Sequence, residues 1–212
     1  MRLGGAVAVL AYVLLTTAAG AQAEFQRLSK HCADQTRAPD ERIRTCRLLS
    51  ASKGLDPVEY AFAELNIGAA YTEEGDNANA LTAYAQSIAL EPNMWQAYND
   101  RIELRIETAD LDAALDDYSR LVKIDPSKVR MKVFGLKYGS EHDTPSGHGE
   151  THEASEYDRA AATMRQRLAD AFYRRGLAKR SSGDNPGGDA DIKSALAIDP
   201  EATGRHPADA KP

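Results

Sequence analysis

Between residues 57 and 124, apolar and small side chains recur every three or four positions, and the pattern breaks at Gly75-Asp76, at Pro92 and at Asp110. That spacing gathers them on one face of a helix. It predicts four helices, over about 57–74, 77–91, 94–108 and 111–124. Asp56-Pro57 with Glu59 marks the first start: a capping aspartate, a proline in the first turn and an acidic residue three positions on. Gly54 closes an earlier helix over about 40–52, and Pro39 separates it from a shorter one before it. Further on, Tyr157, Ala161, Met164, Leu168 and Phe172 form another helical stripe, which predicts a single long helix over about 154–181. Between these regions, 139–153 is rich in Gly, Ser, His and acidic residues and reads as a mobile loop. Glu201 to Pro212 is polar and proline-bearing, the composition of a disordered tail.

The helices come in pairs that end alike. "SIALEP" closes at Pro92, "RLVKIDP" at Pro126 and "SALAIDP" at Pro200, and the first two prolines are 34 residues apart. Repeats about 61–94, 95–128 and 169–202 follow. In the first, Ile67-Gly68, Tyr71, Ala80, Tyr84 and Pro92 fall at fixed intervals, with Gly75-Asp76 between the helices. A period of 34 with these residues at these positions resembles the tetratricopeptide repeat. The second repeat keeps Ala114, Tyr118 and Pro126. It has Arg101-Ile102 and Arg105 where the family has Leu-Gly and Tyr, so its first helix is expected to pack less closely. The third keeps Phe172, Gly176, the Gly183-Asp184 turn, Ala195 and Pro200, but carries Gly188 and Ile192 at the alanine and aromatic positions, an eroded second helix. The resemblance implies an all-α fold: a right-handed superhelix, or tetratricopeptide solenoid, of about three helical hairpins over 55–200. Each hairpin buries its apolar face against the next.

The amino terminus has a different character. Arg2 precedes an apolar run from Leu3 to Leu15, and Ala21-Gln22-Ala23 supplies the small residues of a cleavage site. Residues 1–23 therefore read as a signal peptide, and the apolar run is short of the ~20 residues a spanning helix needs. An exported protein, periplasmic or secreted and without a membrane anchor after cleavage, is the expectation. Cys32 and Cys46 are the only cysteines. An even count in an exported chain predicts a disulfide between them, worth ~3 kcal/mol by loop closure. It would pin residues 24–54 as a helical cap on the repeats.

The net charge of −6 argues against nucleic acid as a partner. No linear signature of a hydrolase, nucleotide-binding loop or metalloprotease occurs, so no catalytic residue is assigned; an enzyme whose residues converge only in space is the second alternative. His142, His148 and His152 lie among Glu141, Asp143, Glu150 and Glu153. His148 and His152 at four-residue spacing suit one helix face and a metal such as zinc or nickel, and a metal-binding or metal-delivery accessory protein is the first alternative. Glycines and the lack of an apolar frame favour a solvated loop, so no metal or cofactor is assigned.

What remains is the groove that the resemblance places along the first helix of each repeat. It would present Phe62, Leu65, Asn66 and Glu73 from the first repeat and Asn99, Asp100 and Glu103 from the second. Ala69, Gln96 and Glu107 lie on the same faces. The asparagines offer both donor and acceptor to a peptide backbone. Acidic residues here favour a basic or neutral segment. The resemblance thus implies a protein-interaction module, an adaptor or assembly factor for a protein or peptide partner.

Overall fold

The computed structural model describes residues 20, 23–52, 55–125 and 149–205, with side chains from 155 in the last stretch and not beyond 203. Among the described residues every regular element is a helix. In chain order these are α1 over 23–33, α2 Pro39–Ser50, α3 Pro57–Glu74, α4 Asn77–Leu90, α5 Trp95–Glu107, α6 Leu111–Leu121, α7 Gly149–Ser181 and α8 Asn185–Ile198. A short 3-10 turn, Ala202–Arg205, follows. Described residues up to Leu90 form one compact unit, and those from Glu91 form another. The expected leader lies outside the described residues except for positions 20 and 23.

In the first unit, α3 starts where its sequence demands. The Asp56 carboxylate accepts from the Glu59 backbone N–H at 2.9 Å, and the Glu59 carboxylate accepts from the Asp56 N–H at 3.0 Å. This reciprocal box satisfies two backbone donors that the first helical turn leaves open. Gly75 ends the helix at φ 76°, a conformation that costs a residue with a Cβ about 1–2 kcal/mol. The chain reverses into α4, and Gly68 meets the face of Tyr84: a Cβ at position 68 would lie 2.6 Å from the ring. The absent side chain is what lets α3 and α4 approach. Tyr84 Oη and Thr72 Oγ1 are 3.0 Å apart, and Ser87 Oγ donates to the Ala61 carbonyl at 2.7 Å, so the polar groups in this contact are satisfied.

The disulfide joins Cys32 of α1 to Cys46 of α2, with both residues fully buried. They lie in a cluster with Leu28, Leu49, Ala63, Ile67 and Ala83, against which Phe25, Leu55 and Tyr71 also pack. α2 is tied to α3 by Arg42, which donates to Glu73, and by Arg47 Nη2, which donates to Tyr71 Oη at 2.7 Å.

The second unit holds two hairpins, α5–α6 and α7–α8, with α7 packed on both α5 and α6. The arginines that stand where the family has Leu and Tyr on α5 reach across to α6. Arg101 and Arg105 both bind the Asp117 carboxylate on α6, which is 2% exposed. In the third hairpin Arg175 and Lys179 bind Asp191 of α8 in the same way. Gly188 is not erosion. A Cβ there would lie 2.6 Å from the Gly176 carbonyl oxygen, and one on Gly176 would lie 2.8 Å from that of Gly188. The two glycines form a matched crossing. Trp95 packs edge-on against Tyr157 at 6.2 Å, and Tyr157 Oη donates to the Leu121 carbonyl at 2.7 Å, seating α7.

Two boundaries differ from expectation. α7 begins at Gly149, so the end of the predicted loop forms the first turn of the long helix, with Gly149 at its very start, where a glycine interrupts nothing. The tail does not begin at Glu201: Ala202 is fully buried in a turn that packs on α7 and α8.

Candidate functional site

The residues anticipated as a binding face fall in the two units, four on α3 and three on α5. On α3, Phe62, Leu65 and Asn66 are buried side chains. Asn66 Nδ2 donates to the Phe62 carbonyl one turn back at 2.8 Å, so its amide serves its own helix. Glu73 keeps a half-exposed carboxylate and accepts from Arg42, a partner that sequence reasoning missed because α2 and α3 are distant in the chain. This half of the expected site is therefore largely core.

The three on α5 are different. Asn99, Asp100 and Glu103 are neither buried nor exposed. Glu103 accepts from Arg167 of α7, which no spacing in the sequence linked to it. Among the described residues no cation lies beside Asp100. Its one hydrogen bond is from Asn99 Nδ2 at a long 3.3 Å. Burial pushes its carboxyl up to about 6, the bond from Asn99 pulls it down, and the Glu103 charge pushes it up again. Beside it, the Gln96 Oε1 and Asn99 Oδ1 oxygens are shut off from solvent without a donor. Positions 96, 99, 100 and 103 share one face of the helix.

Acceptors in such a place are costly to leave unpaired, at roughly 1–3 kcal/mol each. Together they can take N–H donors: a backbone amide, an ammonium or a guanidinium. They offer nothing to an anion. Of the three histidines considered as metal ligands, His142 and His148 lie outside the described residues, and His152 falls in α7 with its backbone alone described. Among the described residues no three His, Cys, Asp or Glu side chains gather to hold a metal ion. No described helix is long and apolar enough to cross a membrane.

Paired helices that cross at Gly68 against Tyr84, and at Gly176 against Gly188, define a protein of helical-hairpin repeats. The family model for the tetratricopeptide repeat matches residues 65–94, the α3–α4 hairpin and the link to α5. Residues 65–94 are thus similar to a tetratricopeptide repeat, within a chain whose described regular elements are all helices. Among solved structures it is similar to the MamA RS-1 ArsTM double mutant, at 15% identity over 85% of this chain and 96% of that one, with a TM-score of 0.43. Among curated proteins none matches the chain.

Proposed function

We propose that the protein is an exported adaptor or assembly factor, working in the periplasm or outside the cell, that holds a partner protein through the α5 face. The observation that carries this is the Asp100 environment: a carboxylate with no cation beside it among the described residues, flanked by the unpaired Gln96 and Asn99 oxygens. A partner segment bearing a lysine, an arginine or free backbone N–H groups supplies what these acceptors lack. Native proteins seldom keep buried polar atoms unpaired without a reason. The leader-like start and the closed Cys32–Cys46 bond support export into an oxidising compartment.

The test is capture from an envelope extract by wild-type protein, Asn99→Ala and Asp100→Asn, each checked for native helicity. Loss of one specific partner in both variants, with retention by the exposed-site variant Arg44→Ala, is the expected result. Equal capture by all three variants and wild type would end the proposal.

A further inference from the structure

Three positions differ in kind between the hairpins. Arg101, Arg105 and Asp117 in the second correspond to Arg175, Lys179 and Asp191 in the third, and in both the face is closed by ion pairs between its own two helices. The same positions in the first hairpin are Ile67, Tyr71 and Ala83. An apolar face needs a cover, and here the cover is α1 with α2: Ile67 and Ala83 are buried in one cluster with Leu28, Cys32, Cys46 and Leu49.

The two covering helices are not held alike. α2 has polar ties of its own to α3, from Arg42 to Glu73 and from Arg47 to Tyr71. α1 buries Leu28 and Cys32, and Phe25 in part. Its Ser29 hydroxyl is buried and unpartnered, as Arg42 Nε and Nη2 are on α2, and the ion pair that its described residues show, Arg27 with Glu24, is exposed and internal to the helix. The covalent link to Cys46 therefore carries much of what keeps α1 in place.

We propose that the Cys32–Cys46 bond is a latch whose reduction frees α1 while α2, α3 and α4 stay folded, uncovering an apolar face on the first hairpin. The reductant is a dithiol. One of its thiolates attacks a sulfur of the bond to give a mixed disulfide, and its second thiol resolves that. Two electrons and two protons pass to Cys32 and Cys46, which become thiols, and the dithiol becomes a disulfide. Both cysteines are 0% exposed, so exchange waits on an opening of α1 and the oxidised latch is protected while shut.

Hydrogen exchange on the full chain, oxidised and after dithiothreitol, tests this, with reduction followed by the mass gain of two protons. Amides of 25–33 are expected to exchange at least tenfold faster once the bond is reduced, while those around Ile67 and Ala83 change less than twofold. An apolar dye should brighten on reduction and dim on reoxidation. Unchanged protection of 25–33, loss of α3 and α4 together with α1, or a bond that dithiothreitol does not reduce in the folded protein would each overturn the latch. Since the latch lies in the first unit, wild-type partner capture at Asp100 and latch opening can fail independently.

Discussion

Arg101 grips Asp117 side-on, with Nε to Oδ2 at 2.7 Å and Nη2 to Oδ1 at 2.6 Å, and Arg105 Nη1 joins the same carboxylate at 2.6 Å. The third hairpin repeats the arrangement: Arg175 meets Asp191 at 2.7 and 2.8 Å, with Lys179 at 2.9 Å. In each case the first arginine and the aspartate are 16 residues apart. One carboxylate thus ties two turns of one helix to its neighbour, where the first hairpin uses apolar contact. Removing Asp117 strands two guanidinium groups, one nearly buried. Asp117→Ala should cost about 3–5 kcal/mol, read as the shift in the urea midpoint. A loss below 1 kcal/mol would mean that water replaces the carboxylate freely.

Asp191 predicts an acid limb. The hydrogen bond from Arg175 is the main cause that holds its carboxyl below the usual 3.8, with Lys179 helping and burial opposing. A carboxylate lowered on folding stabilises fully above its ordinary value and loses that contribution as the pH falls through the lowered one. Asp191→Asn should melt below wild type at pH 7, and the gap should narrow progressively as the pH falls below 3.8. A gap that persists there would assign the effect to packing.

Asp100 has the opposite sign. Its carboxyl is raised to about 6, so its favourable contribution is complete below 3.8 and is lost as the pH rises through about 6. Asp100→Asn keeps the shape and removes the charge. It should stabilise the protein at pH 8 by about 2–3 kcal/mol and leave it near wild type at pH ~4. Thermal melts at the two pH values decide. Greater stability together with weaker partner capture would mark Asp100 as a group kept for binding at the expense of the fold.

Gly68 leaves no room for a side chain against Tyr84. Gly68→Leu should lower stability by about 1–3 kcal/mol, and Gly68→Ala combined with Tyr84→Leu should recover part of the loss that Gly68→Ala alone produces. An unchanged melting temperature for Gly68→Leu would show that the helices can separate at little cost.

Ala109 sits at φ 62°, at the hairpin position where the other two repeats have Gly75 and Gly183 with φ 76° and 95°. Ala109→Gly relieves the contact between its Cβ and the backbone. It should stabilise the second unit by about 1 kcal/mol, measured by chemical denaturation. A destabilised variant would show that the alanine methyl is engaged in packing.

Residues that act within a few turns of their partners were readable from the chain. The Asp56–Glu59 box and the turns at Gly75 and Gly183 follow from spacing within one repeat, whereas the ring that Gly68 meets, Tyr84, is given by the packing of α3 on α4. The pairing of Cys32 with Cys46 was readable by count and by the leader-like composition of residues 1–23. The charged locks were not, because comparison with a consensus marks Arg101 as a substitution and says nothing about Asp117, which lies at a variable position. The binding face was legible only in part. Position on a helix places Asn66 and Asn99 alike, yet Asn66 donates to its own helix and is buried, whereas Asn99 is half-buried with its Oδ1 unpaired. That difference depends on what covers each helix, a property of packing between elements far apart in sequence.

The single indole of the chain stands edge-on to the Tyr157 ring, at an interplanar angle of 76°. Ultraviolet emission excited at about 295 nm therefore reports on the seat of α7 on α5. Loosening of the carboxy-terminal half can be timed optically in the same cuvette in which the amino-terminal half is followed by other means.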